Sequence, residues 1–421
     1  MNHSDSAELV DHLFRHEAGK MIAVLTRIFG LHQIELAEDV VQESFLKALQ
    51  SWKYGQLPNN PSAWLMQVAK NRVIDILKHK KKESIGLPDN SQLLEDTSIN
   101  EFFHTDEIAD SQLRMIFTCV HPALKEEDQL AFVLKTISGF SVQEIAKALV
   151  TNEATIQKRL YRAKEFIRKE KFEFEIPAGA ALTSRLEVVH TLLYLLFNEG
   201  YNSGKADELI RKDLCGEAMR LCKALIEHRI CSTPTGFALL SLMCFHAARF
   251  ESRLSDDNSI ILLPYQDRKK WSEELIRLGY HYLNYSAAGE EISVYHLESA
   301  IAAEHCLAKT FADTNWQRLL ELYDMLLQMK PFPTVELNRA VVLAEMGELQ
   351  KAIDAILSIN KIDSLLKEQY IYSAVLGDLY KRLSNEMKAK EFLEKAFGLT
   401  TSQAEKNLLE QKIKSIDPNK N

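Results

Sequence analysis

The chain has 421 residues with 15 Gly, 10 Pro, 46% hydrophobic residues and a net charge of -8. Its length predicts two to three domains, each large enough for its own core. Scarce Gly and Pro beside abundant Leu, Ala, Glu and Lys predict an almost all-α protein. The negative total excludes a chain that coats nucleic acid by bulk charge, but the charge is unevenly spread. Lys70–Lys82 carries six basic residues against Asp75 alone, Glu83–Leu113 carries eight acidic residues and no Lys or Arg, and Thr155–Lys171 carries seven basic residues against Glu165 and Glu170. Two basic segments flank an acidic one. The six cysteines (119, 215, 222, 231, 244, 306) show no CxxC or zinc-finger spacing and read as buried thiols of a reducing compartment.

The first domain is expected over residues 5–82. In its second helix Ala37, Val40, Val41, Ser44, Phe45, Ala48, Leu49 and Trp52 form one apolar and small-residue stripe. Glu35, Glu38, Asp39, Gln42 and Glu43 lie largely outside it; Asp39 and Glu43, four residues apart, repel unless solvated or docked on a basic partner. A polar loop from Lys53 to Asn60 leads to Pro61 and a third helix, Ser62–Lys82, with Leu65, Val68, Ala69, Val73 and Ile76 inward. Its polar stripe runs Gln67, Asn71, Asp75, Lys78, Lys82, the footprint either of a phosphate-contacting element or of a basic last turn complementing the helix dipole. Trp52 and Trp64 both fit apolar stripes and read as core.

Residues 83–112 read as an acidic, disordered tether with short apolar patches at Leu93, Leu94, Phe102 and Phe103. A second domain is expected over 113–175. Cys119 and His121 lack a nearby partner Cys, so they read as packing followed by a helix start at Pro122. Ser141 and Glu144 form a capping box that starts a helix at Val142, Val150–Asn152 break it, and Thr151 or Asn152 caps a second helix. Ile156, Leu160, Ala163 and Ile167 make the buried face of that helix, while Thr155, Lys158, Arg159 and Arg162 lie on another. This pattern fits a helix-turn-helix whose second helix enters the major groove, or a helical hairpin with a solvated basic face. In the first case Lys158 and Arg159 suit guanine, Gln157 suits adenine, and Tyr161, Arg162, Lys164, Arg168 and Lys169 suit phosphates.

AEDVVQESFLKALQSW followed by PSAWLMQVAKNRVIDILKHKKK resembles region 2 of the sigma-70 family, in its extracytoplasmic-function (ECF) form, at Asp39, Gln42, Glu43, Phe45, Ala48, Trp64, Leu65, Ala69, Asn71, Arg72 and Asp75. The Ser138–Lys171 stretch, together with Leu134, similarly resembles region 4, at Leu134, Gly139, Ser141, Glu144, Ile145, Ala146, Arg159, Arg162, Ala163 and Lys164. The resemblance implies core RNA polymerase as partner, through its β′ clamp helices at Asp39, Gln42 and Glu43 and through the β flap. It implies promoter DNA as the second partner, with Tyr54, Asn59, Asn60, Trp64, Asn71, Arg72 and Lys78 at the minus-ten element. Thr155, Gln157, Lys158, Arg159 and Arg162 are the positions implied at the minus-thirty-five element. An extruded base in a polar pocket is a sound physical basis for melting. It also implies that the acidic linker threads the polymerase cleft.

Residues 180–415 are expected to be helical and regulatory. Ala340, Gly347 and Ala352, then Gly377, Ala389 and Ala396, fall at the small-residue positions of two tetratricopeptide (TPR)-like units, 37 residues apart from Ala340 to Gly377. This part resembles an ECF subfamily with a fused TPR-like domain, through Phe197–Tyr201, Asp213–Cys215, Gln266–Arg268 with Trp271, Tyr295–Leu297 and Leu337–Ala340, departing at Glu298–Ser299 and Asn315. The subfamily implies control by this extension in place of a membrane anti-sigma factor, with a DGPF (YCII-related) protein or another regulator as its partner. The polar groups of Phe197–Tyr201 and Gln266–Arg268 suit either a ligand or interdomain site, or internal bonds that fix turns.

No catalytic, cofactor or metal-ligand motif is recognised, so no enzyme is expected. The remaining alternative is a polymerase-independent helix-turn-helix regulator with a TPR-like scaffold, for which the acidic region 2 helix has no use. The N-terminus shows no signal-peptide pattern, and the apolar run Val188–Phe197 is too short to span a bilayer. A cytoplasmic bacterial protein without membrane attachment is the expectation.

Overall fold

In the computed structural model the apolar stripes of the first eighty residues become three helices: α1 (His3–Phe29), α2 (Ile34–Trp52) and α3 (Pro61–Glu83). The structure describes residues 3–52, 57–83, 101–149, 151–169, 174–202, 210–255 and 259–416. All of it is helix, turn and loop apart from one isolated bridge between Leu254 and Ile260. The predicted stripe of α2 is buried from Ala37 through Trp52, with Leu49 half-buried. Its polar member, Ser44, donates its hydroxyl to the Val40 carbonyl at 2.8 Å, so no polar atom is stranded there. At the start of α3, Asn60 Oδ1 accepts from the Ala63 amide at 3.0 Å ahead of Pro61, a cap that fixes where the helix begins.

Four helices follow: α4 (Thr105–Cys119), α5 (Glu126–Thr136), α6 (Val142–Ala148) and α7 (Glu153–Lys169). Two expectations are corrected here. Helix α4 begins eight residues before the expected boundary at 113, inside the stretch assigned to a tether. Its first-turn acids complement the helix dipole, and Arg27 of α1 reaches Glu107 at 2.7 Å and Asp110 at 3.2 Å. The helix expected at Pro122 starts instead at Glu126. Gln129 Nε2 donates to the carbonyls of His121 (2.9 Å) and Leu124 (2.8 Å) and holds residues 121–125 as a turn. Residues 84–100, the rest of the linker, lie outside the described residues. The capping box at Ser141 and Glu144 is present, and Asn152 Oδ1 accepts from the Thr155 amide at 2.9 Å to start α7.

Beyond Gly179 come α8 (Ala180–Tyr201) and α9 (Lys212–Glu227). The chain divides into two compact units, and the division differs from the expected domain at 180–415. One unit holds the chain up to Gly200 with Asp213–Ser232; the other holds Tyr201–Lys212 and the chain from Thr233. Helices α8 and α9 join the first unit through polar ties as well as apolar faces. Arg185 Nη1 donates to the Phe117 carbonyl at 3.0 Å, and Arg220 bonds both Gln112 and Glu217. By length and composition α8 is apolar enough to cross a membrane, but Val189, Leu192, Leu193, Leu196 and Phe197 are all buried inside this unit. Burial beside them lowers the pKa of His190 to about 4, keeping it neutral.

The second unit is built of successive helices: α10 (Pro234–Ala247), α11 (Phe250–Arg253), α12 (Glu273–Ser286), α13 (Val294–Leu307), α14 (Trp316–Met329), α15 (Pro333–Glu345), α16 (Leu349–Leu357), α17 (Ile362–Glu368), α18 (Tyr370–Arg382), α19 (Glu386–Leu399) and α20 (Gln403–Lys414). Helices α15 and α16 pair, as do α18 and α19. Ala340, Ala352, Ala389 and Ala396 are fully buried at these crossings. A Cβ on Gly377 would lie 2.7 Å from Leu393 Cγ, so α18 and α19 approach too closely for any larger residue. The Gln266–Arg268 motif makes internal bonds: Gln266 Nε2 donates to the Ile261 carbonyl, Asp267 accepts from the Lys269 amide, and Arg268 donates to the carbonyls of His305 and Ala308. Asn315, one of the departures from the subfamily pattern, still caps α14 by accepting from the Arg318 amide at 3.0 Å.

Candidate polymerase and promoter interfaces

On α2 the side chains of Asp39, Gln42 and Glu43 are all exposed, opposite the buried stripe. Glu43 is also a structural partner: Arg72 of α3 donates Nε to Oε2 at 2.7 Å and Nη2 to Oε1 at 3.3 Å. A residue expected at polymerase and one expected at the minus-ten element thus hold each other. With the side chains 38% and 47% exposed, the pair contributes about 0.2–1 kcal/mol and can exchange for another partner.

On α3 the polar stripe of Gln67, Asn71, Asp75 and Lys78 is exposed as expected, with Gln67 Nε2 donating to Asn71 Oδ1 at 2.8 Å. Asn59 is exposed, whereas Asn60 spends its side-chain oxygen on the helix cap. Trp52 is buried and Trp64 half-buried, their rings 5.3 Å apart. Both therefore belong to the core edge. Tyr54 lies outside the described residues. The first turns of α3 open on a cavity of about 740 Å³ bounded by Asn60, Gln67, Lys20, Lys70, Phe103 and Arg220. Two sources line it that sequence reading did not connect to α3: the segment preceding α4, and helix α9.

On α7 the basic residues divide sharply. Arg162, expected at a phosphate, instead grips Asp128 of α5 with two bonds of 3.0 and 2.6 Å, and Asp128 is 4% exposed. The reason is electrostatic: a buried carboxylate needs a cation, and the paired geometry supplies it while holding the guanidinium pKa above its ordinary value. Lys164 reaches Glu38 of α2 at 2.7 Å, and Arg168 and Lys169 flank Glu165. Thr155 donates its hydroxyl to Asn152 Oδ1, a capping role. Lys158 is left exposed and Arg159 half-buried, while Gln157, also exposed, borders a cleft shared with α2.

The same helix faces α2. A cleft of about 380 Å³ is lined on one side by Phe14, Glu38 and Gln42 and on the other by Gln157, Tyr161 and Lys164. Nearby, α1 meets the residue after α5 with no room to spare: a Cβ on Gly19 would fall 1.9 Å from the Ile137 carbonyl oxygen. Apolar burial of Ile156 and Ile167 within the second helical group is worth about 1.5–3 kcal/mol per side chain, against under about 1 kcal/mol for the Lys164–Glu38 pair. Helix α7 is therefore anchored to its own group far more firmly than to α2.

Comparison with known proteins gives these helices their family. Residues 13–83 match sigma-70 region 2, residues 114–167 match sigma-70 region 4, and residues 185–287 match a family of unknown function, DUF6596. An uncharacterized protein of Rhizobium meliloti is 31% identical over 389 residues, covering 91% of this chain and 90% of that protein. The ECF RNA polymerase sigma-E factor of Haemophilus influenzae is 28% identical over 161 residues, 36% of this chain and 81% of that protein. The ECF RNA polymerase sigma factor SigW of Bacillus subtilis is 27% identical over 160 residues, 36% of this chain and 82% of that protein. No solved structure matches.

The chain belongs to the sigma-70 family, among its ECF sigma factors. An ECF sigma factor is a non-enzymatic transcription initiation factor whose partners are core RNA polymerase and promoter DNA, and the all-α architecture with its long helical extension accords with that. The region 2 match ends at residue 83, where α3 ends, and the region 4 match ends within α7. Sequence reading missed Asp128, Glu38 and Gly19, whose roles depend on residues 34, 126 and 118 positions away along the chain.

Proposed function

We propose that this sigma factor grips the β′ clamp helices of polymerase through Asp39, Gln42 and Glu43, with the β flap receiving region 4. In this reading the minus-ten element is read by Asn59, Asn71, Arg72 and Lys78 on and before α3. The minus-thirty-five element is read by Gln157, Lys158 and Arg159, with Arg162 and Thr155 holding α7 in place, while Asn60 and Trp64 support the minus-ten residues at the start of α3. Two elements named for positions about 25 base pairs apart lie about 85 Å apart at 3.4 Å per base pair. Helix α7 now shares a cleft with α2. Promoter engagement therefore requires regions 2 and 4 to part, breaking the Lys164–Glu38 contact and the close approach of Gly19 to Ile137.

The observation that carries this reading is the exposed acidic face of α2, together with Lys158 and Arg159 on α7, which make no ion pair among the described residues. We further propose that the extension beyond residue 180 controls activity from inside the cytoplasm, with a DGPF (YCII-related) or other regulator acting on its TPR-like helices. Support comes from Arg220 of α9, which lines the same cavity as Asn60 and Gln67. The test is transcription by core polymerase with the full chain and with Arg220→Ala. A changed promoter output at unchanged core binding supports control through α9, and an identical output removes it. A polymerase-independent regulator would bind duplex promoter DNA equally well with Asp39 and Glu43 reversed to Lys.

A further inference from the structure

Two histidines of α1 and one aspartate of α9 converge within the first compact unit, in a cluster that none of the promoter or polymerase contacts uses. His12 and His16 are four residues apart on one helix face, with ring centroids 4.4 Å apart. Asp213, in the first turn of α9 and 197 residues further along the chain, places Oδ2 3.1 Å from His16 Nε2. One donor atom from each of the three lies within 4.8 Å of the other two. Bonds of about 2.0–2.2 Å in a tetrahedral shell set ligand atoms about 3.4 Å apart. The His16–Asp213 spacing of 3.1 Å lies close to that value, and His12 is exposed, so its side chain has room to turn.

We propose that His12, His16 and Asp213 form a binding site for a divalent transition-metal ion of the Zn²⁺ class. The donor set decides the class. Two imidazoles and one carboxylate suit Zn²⁺, Co²⁺ or Ni²⁺, whereas Mg²⁺ and Ca²⁺ take oxygen ligands almost exclusively. Three protein ligands with His12 in solvent leave a fourth position to water and give the ion a path in. His16 and Asp213 retain only 20% and 26% of their side-chain exposure, so they are already held in place. A bound ion ties the first helix of region 2 to the helix that carries Arg220. Metal availability thereby becomes an input to the first compact unit, separate from any regulator at the TPR-like helices.

The test uses the full chain, free of affinity tags and stripped of metal, titrated with Co²⁺ and then with Zn²⁺ in competition. The expected result is one saturable equivalent of Co²⁺ with the visible absorption of a four- or five-coordinate ion, displaced by Zn²⁺ and untouched by excess Mg²⁺. His12→Ala should weaken that binding at least tenfold while its metal-free melting temperature matches the parent, since His12 is exposed. His16→Ala and Asp213→Asn should abolish the absorption. Absence of saturable binding, or an identical titration for His12→Ala and the parent, overturns the proposal. If His16→Ala and Asp213→Asn lower the melting temperature with no metal dependence in the parent, the cluster is an ion pair only and the proposal also fails.

Discussion

The two helices proposed to face promoter DNA, α3 and α7, look alike in sequence and differ in what their polar residues do. On α3 the stripe of Gln67, Asn71, Asp75 and Lys78 points outward, and the Arg72–Glu43 pair beside it is exchangeable. On α7 most cations have a partner: Arg162 is committed to a buried carboxylate, while Lys164 pairs with α2, and Arg168 and Lys169 pair with Glu165, in weaker, exchangeable contacts. Seven basic residues in a row of seventeen therefore overstate the charge that region 4 offers to DNA. Lys158 and Arg159 are the cations of the predicted reading face that make no ion pair among the described residues. Region 2 keeps the polar stripe of α3 in solvent, whereas region 4 uses Arg162 to hold itself together and Lys164 to hold its neighbour α2.

That contrast predicts where substitutions act. The largest effect should come from reversing Asp39 and Glu43 together to Lys, which should lower core polymerase binding at least tenfold while the melting temperature changes little, as both side chains are exposed. Unchanged affinity in a binding titration with core enzyme would remove the free-surface half of the comparison. Next in size, Asp128→Ala should cost about 2 kcal/mol of stability, the scale of a lost charged hydrogen-bond pair, and should loosen α7. Denaturant unfolding reads this directly, and a variant as stable as the parent would show that Arg162 is available to DNA after all.

Gly19→Ala should cost about 1–3 kcal/mol, because the new methyl group meets a backbone carbonyl that cannot rotate away. It should also speed hydrogen exchange in Phe132–Ile137 by parting regions 2 and 4, and a neutral variant would contradict the close packing of α1 on region 4. Smallest is Lys164→Ala, expected within about 1 kcal/mol in stability. Arg159→Ala should weaken promoter binding by about 1–3 kcal/mol and relax specificity at one upstream position while leaving stability unchanged. Equal promoter affinity and specificity for Lys164→Ala and Arg159→Ala would erase the distinction between committed and free cations.

Local signals in the sequence were enough for the helices and their caps. The capping box at Ser141, the cap at Asn152, the α2 stripe and the small residues at Ala340, Ala352, Gly377, Ala389 and Ala396 all rest on spacings within one or two turns or one helical pair. What sequence could not show was the choice of partner across distance. Arg162 and Asp128 have no shared spacing, so a buried carboxylate outbids phosphate without leaving a pattern. The start of α4 was hidden because acidic residues read as a solvated tether until Arg27 is placed opposite Glu107 and Asp110. The membership of α8 and α9 in the first unit was equally illegible, since it rests on Arg185 reaching the Phe117 carbonyl and Arg220 reaching Gln112. The His12–His16 spacing was readable on α1, but its third member, Asp213, was not.

The most direct test of the central claim is genome-wide run-off transcription with purified core polymerase and the full chain. The account predicts initiation at a defined set of promoters that core alone ignores, sharing upstream and downstream elements, and loss of that initiation when Asp39 and Glu43 are both reversed to Lys. Transcription indistinguishable from core alone, or initiation that survives the reversal, would contradict it.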